Sequence, residues 1–368
     1  MPLIKSRAPK SAALAPRKVA HGVAIAIVNY NGGPRLRECL RAVCRQSVAP
    51  ERILLYDNAS QDDSCDGIRE RFPSVEVRRF AQNRGFAAAC NAALREADDC
   101  RWVAVLNSDA LPGRHWLARM LSAAESLPDC AALSSQLISA RDTGRLDGAG
   151  DVYHVCGAAW RAGHGQIAAE HSLGEARGPR EVFSACAAAA LYRRDAVLEA
   201  GGFDESFFCY FEDVDLSYRL RLGGHRIWHV PRAVARHVGG ASSGPRSDFA
   251  IYHGHRNLVW TFFRNTPARL LWRHLPQHLA WNLATVLWFA LRGRGRVILH
   301  SKRDALRGLP RILRERASLQ RNAAVAVESL LKVMEHGWLK PYFRRRTTTQ
   351  AAAQSDLAPD RASALRQP

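Results

Sequence analysis

Between His21 and Ile138 five short β-rich runs alternate with stretches of helical period: Val23–Val28, Ile53–Tyr56, Val75–Phe80, Trp102–Leu106 and Ala131–Ile138. In the intervening stretches Leu36, Leu40 and Val43 recur at helical spacing, as do Phe86, Cys90 and Leu94. This alternation specifies an α/β domain with a mainly parallel sheet. Polar clusters sit just past the strand ends: Asn29-Tyr30-Asn31, Asp57-Asn58-Ala59-Ser60 and Asn107-Ser108-Asp109. In open α/β sheets ligands bind outside the carboxyl ends of the strands, so the three clusters are expected to converge on one crevice.

Charge separates this domain from its flanks. Residues 1–20 and 251–350 carry +5 and +15 of the formal +19, which leaves 21–250 at −1. A basic tail of that size is suited to an extended anionic partner, a membrane surface or nucleic acid. Residues 1–20 have no apolar run before the first strand, which argues against a secretory signal. The nine cysteines are scattered and never form C-x-x-C, so neither a disulfide framework nor a zinc cluster is expected, and a reducing, cytosolic setting fits. Residues 139–181, rich in Gly, Arg and His, read as a long excursion over the site. Ile227–Val230 reads as a further strand stopped by Pro231.

Three motifs in the basin of the crevice carry candidate chemistry. Asp109, at the end of an apolar strand, is placed to share a hard divalent cation with a diphosphate, although Asn-Ser-Asp is also a turn or helix-cap pattern. Asp57-Asn58-Ala59-Ser60 offers carboxylate and amide groups to a base and a ribose, or an Asx turn. Asn83-Arg84-Gly85, opening a helix, offers a guanidinium and free N–H groups to a phosphate or sugar, or only a helix start. A fourth stretch, YFEDVDLSYRLRLGG (210–224), crowds Glu212, Asp213 and Asp215 behind Phe207, Phe208 and Tyr210. Mutual repulsion and partial burial raise a carboxyl pKa, as a general base requires, while a helix dipole alone would also favour acids there. Asp215 and Arg219, at i and i+4, read as a helix pair.

The ordered set VNYNG (28–32), DNASQDDS (57–64), NRGFAAACN (83–91), LNSDA (106–110), GGFDESFFCYFEDVDLSYRLRLGG (201–224) and VPRAVARH (230–237) resembles family 2 glycosyltransferases of the GT-A fold, especially bacterial rhamnosyltransferase-like and galactofuranosyltransferase-like members. The resemblance covers about 21–257. It implies a Rossmann-like nucleotide-diphospho-sugar transferase sheet and an inverting transfer of a sugar to a hydroxyl. It further implies donor-binding roles for Asn29, Asn31, Asp57, Asn58, Ser60, Asn83, Arg84, Gly85, Asn107 and Ser108, with Asp57 on the base imide. Asp213 matches the family's base and Glu212 its neighbour. Asp109 matches the last acid of the metal-binding D-x-D, with Asn107 in place of the first. His237 matches a histidine that follows the V-P strand, so Asp109 and His237 are the expected ligands of Mg2+ or Mn2+. Ser184–Ala190 resembles the family's small-residue strand near the donor sugar.

In 258–346, Trp260, Phe262, Phe263, Trp272, Trp281, Trp288 and Phe289 interleave with arginines beside the 13-residue apolar run Leu279–Leu291. That run is shorter than the roughly 20 residues of a spanning helix. The pattern suits an interfacial element on an anionic membrane better than a nucleic-acid site, and no nucleic acid is expected. The chain is thus expected to comprise a basic tail (1–20), a GT-A domain (21–257), a membrane-associating helical region (258–346) and a disordered tail (347–368), held peripherally on the cytoplasmic face of a membrane. The implied donor is a dTDP- or UDP-linked sugar, rhamnose first, and the acceptor a glycan or lipid-linked hydroxyl of cell-surface polysaccharide synthesis. The competing reading is a non-catalytic basic membrane- or nucleic-acid-binding protein on a nucleotide-binding fold.

Overall fold

A computed structural model describes residues 18–168, 178–239 and 247–342; the expected tail 347–368 and most of 1–20 lie outside them. The five expected strands form as β1 (Val19–Asn29), β2 (Ala49–Asp57), β3 (Val75–Arg79), β4 (Trp102–Asn107) and, after the short β5 (Ala110–Pro112), β6 (Cys130–Ser139). They are followed by β7 (Leu146–Ala149), β8 (Asp151–Tyr153), β9 (Ala159–Arg161), β10 (Arg180–Glu181), β11 (Ala189–Arg193) and β12 (Arg226–His237). The sheet runs β10-β12-β6-β11-β4-β1-β2-β3, with β5 added to β12 and β7 to β6, while β8 and β9 pair separately. Strands β1 to β4 are mutually parallel where they pair, and β11 enters antiparallel between β4 and β6. The result is the expected mixed, mainly parallel α/β sheet.

Alternate residues of β1 explain the two layers. Ile25 and Ile27 face a core shared with α1 (Pro34–Cys44) and α4 (Trp116–Ser126). Ala24, Ala26 and Val28 face the other core, with α3 (Phe86–Glu96) and α6 (Glu212–Leu222). Both faces are covered, so the strand is apolar along its whole inner length, as parallel sheets require. Two short helices, α2 (Ile68–Arg71) and α5 (Arg194–Glu199), complete the connections.

Three expectations are corrected. Pro231 does not stop its strand: β12 continues to His237, and the pairing with β6 jumps from Val230↔Ser135 to Val234↔Gln136. The proline sits in that bulge, where its missing N–H leaves no ladder bond unmade. The stretch 139–181 supplies β7, β8, β9 and β10, with residues 169–177 outside the described ones. The boundary at 257/258 falls inside a helix, α7 (Asp248–Asn265), which is followed by α8 (Ala268–Ala290), α9 (Gly295–Arg321) and α10 (Val327–Val333). Trp260 and Phe262, expected at a membrane, are 7% and 0% exposed. Trp260 packs edge-on against Phe207, and Phe262 stacks on His278.

What locks these helices to the α/β domain is a buried charge cluster. Asp215, fully buried on α6, accepts from Arg219 Nε at 2.9 Å, as the i, i+4 pairing anticipates. It also meets the Arg264 guanidinium and accepts from Asn265 Nδ2 at 2.7 Å, both on α7. Arg264 in turn reaches Asp204 at 2.6 Å and Glu315 of α9 at 2.9 Å. Removing one partner of a buried ion pair leaves the other charge desolvated without compensation, which costs about 3–5 kcal/mol. Arg264→Ala is therefore expected to lower stability by about 3 kcal/mol in urea unfolding; a loss below about 1 kcal/mol would show that the cluster does not hold the two parts together.

Candidate active site

The parallel register aligns Asn29 with Asp57 and Val28 with Asn107, so the three polar clusters stand side by side at one sheet edge. Burial then divides them. Asn29 is fully buried, and its amide donates to Asp57 Oδ1 at 3.1 Å, Ser60 Oγ at 3.0 Å and Ser64 Oγ at 3.0 Å. Asn58, 2% exposed, donates to the Gly85 carbonyl at 3.0 Å and accepts from Arg84 N at 2.8 Å. Ser60 Oγ accepts from Asn31 N at 2.9 Å. These three groups hold the loops together and present little to a ligand. Asp57 is also fully buried, covered by the exposed Arg79 guanidinium with Nε 3.0 Å away. The open rim consists of Asn31, Asn83, Arg84 and Asn107.

At the next strand ends β5 and β12 pair antiparallel, with His237 opposite Ala110. This brings His237 Nε2 to 3.4 Å from Asp109 Oδ1 and 3.4 Å from Asn107 Nδ2. The other ring nitrogen is taken: Nδ1 lies 2.7 Å from Asp147 Oδ2. Asp147, on β7, is itself paired with the Arg161 guanidinium from β9. Gly148 makes room for that approach, since a Cβ there would lie 3.1 Å from the Arg161 side chain. Neither Asp147 nor Arg161 was legible in the sequence, where each stands alone in an aperiodic stretch. Burial would raise the Asp147 carboxyl, but the charges of Arg161 and His237 hold it near 2. Burial likewise pulls His237 down, and its bonds to Asp109 and Asp147 more than offset this, leaving it above its ordinary value.

These residues fit a divalent cation. A carboxylate on Nδ1 keeps the proton on that nitrogen, so a cation that displaced the Nε2 proton would meet a lone pair aimed toward Asp109, the arrangement common behind metal-bound histidines. Two protein ligands suffice for a Mg2+- or Mn2+-type ion whose remaining positions go to phosphate oxygens and water. Ser108, 8% exposed, packs against Gly32, where a Cβ would lie 3.0 Å from its Oγ.

The acid pair stands nearby. Asn107 N donates to the Ala188 carbonyl at 3.0 Å, and Ala187 N donates to Asp213 Oδ2 at 3.0 Å, so the small-residue segment links the two groups. Within it only Ala189 onward is strand. Burial raises the Asp213 carboxyl, opposed by N–H bonds from Ala187 and Val214 and by the charge of Arg161. Glu212 is raised much further by burial and by Asp213, and its Oε2 is buried without a partner. Both carboxyls are thus pushed up, and the N–H donors on Asp213 favour its charged form more than anything around Glu212 does. Asp151, Cys186 and Asp213 bring ligand atoms within 4.8 Å of one another, but Arg161 already supplies positive charge to all three.

Comparison with known proteins follows this geometry. The model of "Glycosyl transferase family 2" matches residues 24–200. An N-acetylglucosaminyl-diphospho-decaprenol L-rhamnosyltransferase of Mycobacterium tuberculosis is 30% identical over 249 residues, 62% of this chain and 80% of that one. This chain belongs to glycosyltransferase family 2. A pre-mycofactocin glycosyltransferase of the same species is 31% identical to this transferase over 217 residues, 57% of this chain and 40% of the other. The fold of the transferase is shared with GalNAc-T7, solved with UDP, GalNAc and Mn2+, at a TM-score of 0.53 and 16% identity. That match covers 66% of this chain and 48% of the other, so this chain accounts for about half the length of that structure. The transferase is of rhamnosyltransferase-like type, and the non-catalytic alternative is set aside.

Because the folded state holds a proton on Glu212 that the unfolded state releases above its ordinary pKa of 4.5, this group's contribution to stability is full below that pH and is lost as pH rises toward the folded value. An amide does not titrate. The melting temperature of Glu212→Gln relative to the parent is expected to rise between pH 5 and pH 8, by about 2 °C or more. A gap independent of pH would mean that Glu212 is ionised in the fold.

Proposed function

We propose that this transferase moves a sugar, rhamnose first, from a dTDP-linked donor to a hydroxyl of a lipid-linked glycan, with inversion at the anomeric carbon; UDP-linked galactofuranose or another hexose is the next donor. The observation that carries the reading is the coupling of two groups: Asp109 and His237 converging on one point, and Asp213 tied to the same strand ends through Ala187 and Asn107. The relative that transfers L-rhamnose to N-acetylglucosaminyl-diphospho-decaprenol supports the choice of sugar and of a lipid-linked acceptor.

In this reading the acceptor hydroxyl attacks C1 of the donor sugar from the side opposite the diphosphate. The new O–C1 bond forms as the C1–O bond to the diphosphate breaks, the hydroxyl proton passes to Asp213, and the electron pair leaves on the diphosphate oxygen. A bound Mg2+ or Mn2+ stabilises the charge on that leaving group. Glu212, neutral, keeps a second negative charge away from the base and gives it a polar neighbour. Asp147 orients His237. Arg84, Asn83 and Asn31 on the rim contact the donor, and Gly85 lets Phe208 pack close beside them; Asn29, Asn58 and Ser60 support them from beneath, and Asp57 receives the base once Arg79 is displaced.

Asp213→Asn is expected to reduce transfer by about 10²–10⁴-fold with donor affinity within twofold, because the amide keeps the shape and cannot accept the proton. Asp109→Ala and His237→Ala are expected to weaken donor binding, measured by calorimetry, only when the divalent ion is present. A D213N protein at half the parental rate would move the base elsewhere, and full activity in excess chelator would remove the ion from the reading.

The membrane partner is proposed on a narrower set of residues than the sequence offered. Among the described residues no helix is long and apolar enough to cross a membrane. Leu279, Leu283, Leu287 and Leu291 of α8 and its end are 55–85% exposed, as are Leu299 and Leu306 of α9 at 57% and 63%. Exposed arginines 292, 294, 296, 303 and 307 lie among them. Apolar residues entering the headgroup boundary with arginine beside anionic lipid describe a peripheral contact worth about 1 kcal/mol per basic residue. Anionic phosphatidylglycerol vesicles are expected to sediment the protein at low salt and to release part of it at high salt, and Leu283→Asp with Leu287→Asp to release the remainder. A protein left wholly in the supernatant at low salt would end the membrane assignment.

A further inference from the structure

The loop in front of the acid pair is strained. Phe208, Tyr210 and Phe211 have φ of 65°, 67° and 68°, a region that bulky residues occupy only where their surroundings over-determine it. The surroundings here do so. Asn257 of α7 donates to the carbonyls of Phe207, Cys209 and Tyr210 at 3.0, 3.0 and 2.7 Å, and Phe86 N donates to the Phe208 carbonyl at 2.7 Å. Gly85 permits the approach, since a Cβ there would lie 2.7 Å from the Phe208 ring.

The conformation turns Phe208 and Tyr210 toward the outer face of α7. Phe208 stacks on His253 at 5.4 Å between centroids and meets Phe249 at 6.0 Å; Tyr210 meets Phe249 at 6.1 Å. Phe249 lies 4.4 Å from His253. Rings that serve only to seat α7 on the loop would be covered, as the neighbouring Phe207 and Trp260 are, at 0% and 7% exposed. Phe208, Tyr210 and His253 are instead partly open, and Phe249 is 37% exposed. Burial and the charge of Arg256 push His253 down to about 4, so its ring is neutral. The result is an open aromatic shelf whose Tyr210 stands three residues before Asp213 and whose Phe208 borders Gly85.

We propose that Phe208, Tyr210, Phe249 and His253 form the platform on which the acceptor's sugar ring stacks, with its attacking hydroxyl turned toward Asp213. The C–H face of a pyranose complements the negative faces of aromatic rings, while a lipid chain would require a continuous apolar groove. The assignment rests on the transferase reading above, and it places acceptor selection on the loop and α7 instead of the sheet edge.

The test uses the full-length protein and octyl β-N-acetylglucosaminide as probe, with Phe249→Ala chosen because that ring is the most exposed. Saturation-transfer NMR reads probe binding without turnover, and steady-state kinetics read KM for probe and donor separately. The expected result is saturation of the sugar-ring protons by the parent, its loss in Phe249→Ala, a rise of about tenfold in probe KM with donor KM within twofold, and recovery in Phe249→Trp. Equal probe KM and equal saturation in all three proteins would overturn the platform while leaving the transferase reading intact. A parent that saturates the ring protons through Phe249 yet turns over no donor would overturn the transferase reading and leave the platform. Saturation of the octyl chain alone, or a fall in melting temperature that accounts for the KM change and persists in Phe249→Trp, would also overturn the platform.

Discussion

Asp215 is the point on which the two halves of this protein depend. Its carboxylate is removed from water on the same helix that carries Glu212 and Asp213, and its partners come from that helix (Arg219) and from α7 (Arg264 and Asn265). A buried charge is tolerated only while every partner is in place. The helix that presents the acid pair therefore cannot settle without the C-terminal helices, and these helices form part of the site's frame. Asn257, about two helix turns before Arg264, extends the same dependence to the strained loop. The C-terminal region thus has two sides: Trp260, Phe262 and Arg264 are turned into the protein, and the leucines of α8 and α9 are turned out.

A second constraint is how the polar groups at the strand ends are divided between support and chemistry. Asn29, Asn58 and Ser60 spend their hydrogen bonds on one another and on the loops, and this stiffness is what holds Asn31, Arg84 and Asn107 at the rim. The same division separates His237 from Asp147. One turns Nε2 toward Asp109, and the other holds the opposite ring nitrogen in place. At the acid pair the division is electrostatic. Backbone N–H groups converge on Asp213, while Glu212 Oε2 has no hydrogen-bond partner among the described residues, so burial pushes the Glu212 carboxyl up further than that of its neighbour.

The alternation of β-rich and helix-period runs was enough to specify the α/β sheet, and the polar residues after those runs were enough to locate its ligand edge, because both are local patterns with a fixed period. Asp109, Asp213 and His237 were recognisable for the same reason: each sits in a short motif at a strand or helix end. Tertiary structure alone decided the rest. Asp147 and Arg161 acquire meaning only when β7 and β9 fold back beside β12, and nothing in their neighbours along the chain signals that approach. Pro231 reads as a stop, but a bulge removes the need for its N–H. Trp260 and Phe262 have the composition of a membrane belt, yet Phe207 and His278 cover them. Composition and period describe what a segment can bury, while the partner that buries it, and hence which side chains remain to meet substrate, is set by long-range packing.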